Sequence, residues 1–467
     1  MIANITKINQ DAVIRDAIEL TKTAFTKLPD NYFDKKDAST HLFNNIMRLS
    51  EGRAPQPIED QDYIKNVIRT ELERNQTVGL YAGVPWCEKI CKFCNFAYSI
   101  STDDSVHKTY IDNLISELEI VKSIGMKDKK VNSFYFGGGT PTILSDELLD
   151  YYLNSAIKSV SLSEKASITC EGAVSTITEN KLDIMLKNNV TRFSMGIQML
   201  EDKLRKEANL LKTGDEVLDI VRLTNHKFDM VNLDLIYGYP NQSLESWFDT
   251  VLRVAEIGLP SITLYRLEVR ERTANKQIYK RSSEIFKDEM HCRIQYFIGK
   301  LILEEFGYVE SPLGWWIKRE KINTTISWEK HMQGWTNITP YIGVGQGAFS
   351  LSGAFHYENE KNLKKWEESI SEGNLPLSFF KQFSESDRFI FSLIRSLRTA
   401  PGVKLSLLEE KMEAFNLTDK FLEVAERNVR NGLFDKKGDE YLLTDSGKAL
   451  IHWLIDEFVI TMGGIEC

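Results

Sequence analysis

Positive charge, membrane-length apolar runs and cysteine are all scarce in this 467-residue sequence. Lys and Arg number 58 against 67 Asp and Glu, for a formal net charge of −9. Nucleic-acid and polyanion surfaces need clustered cations, so neither partner is expected. No apolar stretch approaches the roughly 18 residues of a membrane span, so no membrane partner is expected either. The opening "MIANITKINQDAVIRDAIEL" lacks the basic cluster and apolar core of a secretion signal, and a cytoplasmic location is the expectation. Of the six cysteines, three fall within "YAGVPWCEKICKFCNFAYSI" (81–100), spaced C-x3-C-x2-C. Where thiols stay reduced, so tight a group points to a metal or to catalysis and not to a disulfide. Cys170, Cys292 and Cys467 are scattered, and a buried thiol acting as a small hydrophobe is the default for each.

What the sequence does contain is alternation. Strand-like runs at 77–84, 131–138, 167–172, 191–198, 231–238 and 261–269 are separated by helical patterns at 107–125, 146–160, 179–189 and 244–258. Strands alternating with helices predict parallel pairing through right-handed crossovers. Six such units predict a closed or partly closed β/α barrel, and a doubly wound open sheet fits the pattern nearly as well. Four regions are expected. Residues 1–76 form a helical extension with a connector at "EGRAPQPIEDQD" (51–62), and 77–310 form the α/β barrel. Residues 311–384 form an aromatic-rich connecting segment, and 385–467 a small C-terminal domain of winged-helix type.

Three thiolates on one loop suit an iron–sulfur cube, which keeps one iron free for a non-protein ligand. Structural zinc is the weaker alternative, because no second cysteine pair supplies the fourth ligand. A loop that follows the first strand lies at the carboxyl end of the sheet, where such folds build active sites. "FGGGTPTIL" (136–144) follows the second strand, and its glycines let backbone approach a ligand closely and expose N–H groups.

The cysteine spacing, with an aromatic residue before the third cysteine, resembles that of the radical S-adenosylmethionine (SAM) superfamily. "GGGTPT" (137–142), "TCEG" (169–172), "RFSMGIQ" (192–198), "NLDLIYGYPNQS" (232–243), "YIGVGQGAFS" (341–350) and "LRTAPGV" (397–403) resemble, in order, the branch of oxygen-independent coproporphyrinogen III oxidase, the HemN family. The resemblance implies a partial six-unit barrel with a HemN-type C-terminal domain. It implies that Cys87, Cys91 and Cys94 ligate a [4Fe–4S] cluster whose open iron chelates SAM. It implies SAM contacts from Tyr81, Phe93, Gly138, Gly139, Thr140, Glu171, Gln198, Asp234 and Ile236, with Tyr81 beside the sulfonium as the nearest candidate for a catalytic group. One SAM molecule or two would bind, reduced through a donor such as flavodoxin or ferredoxin, and a monomer or homodimer would act on a small organic substrate.

Three positions depart from the family pattern. Gly83 stands where the family has histidine, which opens space beside the cluster; Leu210 stands where it has arginine, with Lys212 the nearest cation; and Phe96 stands where the oxidase has an extra cysteine. A flexible ammonium does not reproduce a guanidinium fork. These departures move the expected reaction from oxidative decarboxylation of coproporphyrinogen toward transfer of a SAM-derived one-carbon unit, as methylation or cyclopropanation. The comparable family members include anaerobilin synthases. A heme chaperone is the other alternative, with His331 as a possible axial ligand. Trp315, Trp316, Trp328 and Trp335 are candidates either for a pocket wall or for core packing. Arg266, Arg270 and Arg272 would either pair substrate anions or form a solvated basic loop.

Overall fold

The computed structural model of the chain describes residues 8–28, 57–94, 96, 99–270, 273–310, 313–322, 339–399 and 402–463. Among the described residues two helices precede the first strand. They are α1 (Gln10–Phe25), whose first turn is capped by the Asn9 side chain, and α2 (Gln61–Glu73), capped by Asp60. The six expected units follow: β1 (Thr77–Val84), α3 (Asp104–Val121), β2 (Lys130–Gly138), α4 (Asp146–Lys158), β3 (Leu162–Gly172), α5 (Glu179–Lys187) and β4 (Arg192–Gln198). After β4 come the short α6 (Asp202–Glu207) and α7 (Gly214–Lys227), the latter opened by a Thr213/Glu216 capping box. Next are β5 (Val231–Tyr237), α8 (Leu244–Ile257), β6 (Ser261–Arg266), α9 (Ala274–Arg281) and α10 (Glu289–Glu305). Gly258, left-handed at φ 76°, ends α8 where a side chain would be strained.

Strands β1 to β6 are parallel neighbours in strict chain order, and β6 does not pair back to β1. Right-handed crossovers between consecutive strands all place their helices on one face. That face carries Leu80, Phe134, Phe136, Ile168, Phe193, Met195, Leu233 and Ile262, all buried in one core under the helices. Every second residue points to the other, inner face, and there the sequence is polar.

The sheet does not stop at residue 310. Strands β7 (Tyr308–Glu310) and β8 (Trp315–Lys318) extend it past β6. On the other flank β9 (Tyr341–Val344) pairs in parallel with β1, and β10 (Phe349–Leu351), β11 (Phe355–Asn359) and β12 (Leu377–Gln382) continue antiparallel around α11 (Leu363–Ser371). The stretch expected as a connector therefore supplies five strands, β8 to β12, to a twelve-stranded, largely parallel α/β sheet. Its short strands lack the long apolar runs that make a strand legible.

Past β12 come α12 (Glu385–Thr399), β13 (Gly402–Lys404), α13 (Glu409–Ala414), α14 (Thr418–Arg430), the hairpin β14 (Phe434–Lys437) and β15 (Glu440–Leu443), then α15 (Asp445–Ala449) and α16 (Ile451–Gly463). β13, β15 and β14 form a separate three-stranded sheet over a core that includes Leu397, Phe421, Tyr441 and Phe458. Helix α1 lies along α10, and Phe25 and Leu28 beyond its midpoint pack on Leu433, Leu450 and Trp453. Glu71 of α2 pairs with Arg388 of α12 at 2.6 Å. Among the described residues no helix is long and apolar enough to cross a membrane.

Candidate active site

Strand register decides which side chains share the inner face. Tyr81 is level with Tyr135, Tyr135 with Thr169, and Thr169 with Arg192. One layer up, Gly83 is level with Gly137, Glu171 with Ser194, and Ser194 with Asn232. Higher still, Gly196 is level with Asp234 and Asp234 with Thr263. Tyr81, Tyr135, Glu171, Gly196, Gln198 and Asp234 keep partial solvent exposure, although most residues flanking them along the strands are buried. The inner face therefore lines an accessible, polar space.

The cysteine loop leaves β1 above that space. Gly139 N–H donates to Val84 O at 2.6 Å and Thr140 N–H to Trp86 O at 2.8 Å. A β-carbon at Gly139 would fall 2.2 Å from Trp86 O, and one at Gly138 (φ 106°) 2.4 Å from Val84 O. The glycines are thus required for backbone to meet backbone, and the N–H groups of residues 139 and 140, expected to be free for a ligand, are spent on the strand exit. Thr140 Oγ1 lies 3.2 Å from Cys87 Sγ. Lys92, between the second and third cysteines, is gripped from both sides. Its N–H donates to Ala208 O at 3.1 Å, and its carbonyl accepts from Asn275 N–H at 2.9 Å. Asn209 Nδ2 donates to Ile90 O at 2.7 Å.

All three thiols are half-buried and free. Burial pushes Cys87 up to about 11 and Cys91 up to about 12, so loading a metal must displace protons. Among the described residues no three Cys, His, Asp or Glu side chains gather round a single point as ligands of one ion do. Three soft sulfur donors on one braced loop fit an iron–sulfur cube.

Below the loop, Glu171 accepts hydrogen bonds from Tyr135 Oη and the Gly138 N–H. Burial, aided by the neighbouring Asp234 charge, lifts its carboxyl to about 7 against Tyr135 and Arg192. Burial also raises Asp234, which accepts from Asn232 Nδ2 at 2.8 Å. Asn232 Nδ2 also donates to Ser194 Oγ at 3.1 Å, and its Oδ1 accepts from Ser261 and, at 3.1 Å, from Thr263. Gln198 ends β4 in the left-handed region at φ 66°, its amide turned back to where a Gly196 β-carbon would stand. A non-glycine residue there is strained, a hallmark of functional positions. Gln198 is held by a residue that no sequence signal singled out. Arg205, 2% exposed, donates to the carbonyls of Ile197, Met199, Leu211 and Lys212 at 2.8, 2.7, 2.6 and 2.9 Å.

The departures resolve as follows. The space expected beside Gly83 is filled, because Tyr81 folds along its own strand. A β-carbon at position 83 would meet the Tyr81 ring at 2.8 Å and its hydroxyl at 2.9 Å. Leu210 joins Phe93 and Ile236 in one apolar cluster with Met199, Tyr239 and Leu267, so the missing arginine leaves a greasy wall. Phe96 is exposed, with the Arg270 guanidinium 5.6 Å from its ring centroid. Arg266 pairs with Glu289, and Arg270 with Glu268 at 2.7 Å, so both already face carboxylates of this chain. Register separates the adjacent tryptophans. Trp315 is level with Thr263 on the inner face and stands edge-on to Tyr265, whereas Trp316 is level with Ile262 and buried beneath the helices. Arg272, Trp328, His331 and Trp335 lie outside the described residues.

Comparison with known proteins agrees with this geometry. The family model described as "Radical SAM superfamily" matches residues 81–254. Anaerobilin synthase of Escherichia coli O157:H7 is 27% identical, covering 70% of this chain and 72% of its own. Heme chaperone HemW of Buchnera aphidicola subsp. Acyrthosiphon pisum is 23% identical over 82% and 98% of the two chains. Oxygen-independent coproporphyrinogen III oxidase of Helicobacter pylori (strain ATCC 700392 / 26695) is 23% identical over 85% and 88%. In fold, the structure is similar to that of coproporphyrinogen III oxidase (HemN) from Escherichia coli, with TM-score 0.73 and 21% identity over 85% of this chain and 93% of the other.

Proposed function

We propose that this chain, which belongs to the radical SAM superfamily in its HemN/HemW-like branch, splits SAM reductively and applies the resulting radical to a tetrapyrrole. The observation that carries the reading is the braced three-cysteine loop set above a polar face where Glu171, Gln198 and Asp234 converge. When bound, a [4Fe–4S] cluster supplies the electron that breaks a sulfonium carbon–sulfur bond. Cys87, Cys91 and Cys94 hold it. Glu171 takes the ammonium of SAM, Gln198 and Asp234 take polar groups of its sugar, and Phe93, Ile236 and Leu210 enclose the base. Tyr81 orients the sulfonium and screens it from water.

Two observations support a flat, conjugated substrate. Trp315 and Tyr265 offer an aromatic wall at the edge of the inner face. The names of the three relatives, an anaerobilin synthase, a heme chaperone and a coproporphyrinogen III oxidase, all concern tetrapyrroles. The one-carbon transfer expected from the departures finds no support in those names, so decarboxylation or bilin formation takes precedence. A second reading, heme carriage without turnover, is favoured by the chaperone relative, which matches along nearly its whole length.

Anaerobically reconstituted protein given SAM and dithionite should yield 5′-deoxyadenosine and methionine, and Cys91→Ala should not. Equal yields from both would end the reading. Coproporphyrinogen III and heme, supplied in turn, separate oxidase from heme chemistry by mass of product. A saturable heme titration without product selects carriage. Replacing dithionite with reduced flavodoxin or ferredoxin tests the electron donor.

A further inference from the structure

The cysteine loop has two sides. Its inner side faces the polar space where SAM and substrate would bind, so an electron bound for the loop must enter from the outer side. Three segments meet there. Lys92 N–H donates to Ala208 O and its carbonyl accepts from Asn275 N–H, while Asn209 Nδ2 donates to Ile90 O. Ala208, Phe93, Leu210 and Phe286 share one apolar cluster beneath them. Residues 88–92, 206–212 and 274–281 are thereby fixed side by side, and together they carry seven Lys and Arg against two carboxylates, Glu88 and Glu207. The chain as a whole runs the other way, at −9. Lys89, Lys206, Lys280 and Arg281 are exposed, and among the described residues none of the four forms an ion pair. By contrast, Lys108 on α3 and Lys187 on α5 pair with Asp112 and Asp150, each at 2.7 Å. Ile90 and Tyr279 are exposed among these cations.

We propose that this outer face is the docking site of an acidic one-electron carrier protein. Electron transfer weakens steeply with distance, so a carrier must settle where the thiolates lie nearest the surface. Residues 88–92 include Cys91 and lie between Cys87 and Cys94. Like charges gathered without carboxylate partners repel one another, and an anionic surface laid over them relieves that repulsion. Cations around a small exposed apolar centre suit a transient electron-transfer contact, which is slight in area and steered by charge. The carrier gives up one electron, the cluster gains it, and no bond forms or breaks in that transfer. The inference rests on the SAM reading, which needs a reduced cluster, and adds to it the place where the reductant sits.

The experiment measures binding of flavodoxin, and separately of ferredoxin, to the cluster-loaded protein under argon at about 50 and about 300 mM salt. Wild type is compared with the triple variant Lys206→Glu, Lys280→Glu and Arg281→Glu, with thermal unfolding and iron per chain as controls. Wild type is expected to bind at least one carrier and to lose about tenfold in affinity across that range of salt. The triple variant is expected to bind that carrier about tenfold more weakly than wild type at low salt. Its yield of 5′-deoxyadenosine should fall with the reduced carrier and hold with dithionite, which is small enough to need no docking face. Carrier binding that ignores salt, or a variant that binds the carrier as wild type does, overturns the inference. A yield that falls equally with both reductants does the same, and so does wild type that binds neither carrier. A short RNA duplex that binds more tightly than either carrier, and whose binding alone is lost in the variant, overturns it in favour of nucleic acid. If the variant does not fold, the salt dependence of wild type decides. Wild type that gives no 5′-deoxyadenosine even with dithionite removes the SAM reading, and the binding arm still judges the face.

Discussion

Glu117 shows how single buried groups set the behaviour of the empty protein. Its carboxylate, on α3, accepts from Gly345 N–H at 2.8 Å, Asn359 Nδ2 at 2.6 Å and Trp366 Nε1 at 2.9 Å. Burial still lifts it to about 8, and lifts Glu171 to about 7, from an ordinary 4.5. The native state therefore holds protons that the unfolded chain has already released, and stability falls as pH rises between about 4.5 and 8. The cluster-free protein should melt at a lower temperature at pH 8 than at pH 6, and Glu171→Gln should flatten the lower part of that slope. A melting temperature that climbs across the same window contradicts this account of both carboxyls. At Gly139 the prediction is steric. Ala there brings a methyl to 2.2 Å from Trp86 O, so the strand exit and the glycine turn must part. Gly139→Ala should keep its far-ultraviolet circular dichroism and lose most of the iron retained by wild type after reconstitution, read as iron per chain.

At the scale of elements, what was legible followed from periodicity. The run at 231–238 became β5 (Val231–Tyr237) on its apolar run, and that at 244–258 became α8, whose first turn the Ser243 side chain caps. The cysteine loop and the strand-end residues Glu171, Gln198 and Asp234 were legible as motifs; register brings Glu171 and Asp234 to one face, and the Gln198 amide turns back over Gly196 to that face. Arg192 and Tyr135 lay within the expected strands but were passed over, since inward residues of a barrel strand are read by parity only once register is known. Arg205 gave no signal, because its partners are backbone carbonyls and no residue type announces them. Strands β7 to β12 were missed because they run only three to six residues, and β9, which joins its group to the barrel, finds its partner β1 far back along the chain. The role expected of Gly83 failed for a local reason: the glycine left room that its own strand neighbour Tyr81 occupies.

At the scale of the whole molecule, the N-terminal helix acts as a strap. Helix α1 lies along α10 of the sheet unit, and Phe25 and Leu28 reach Leu433, Leu450 and Trp453 of the C-terminal unit. Removal of residues 1–28 should expose that apolar cluster, lower the melting temperature by several degrees and speed proteolysis between the two units. An unchanged melting temperature and cleavage pattern would show the strap to be ornamental. The placement of β1 has another consequence, one of timing. The strand that launches the cysteine loop has β2 on one side and β9 on the other, and Tyr341 is the register partner of Gly79. While the chain emerges from the ribosome, β1 keeps a bare edge until residue 344 has been made, so the seat for the metal is unfinished for most of translation. Iron and sulfide delivered before then would meet a half-walled nest, and maturation of this protein is accordingly a task for after β9 has emerged and docked.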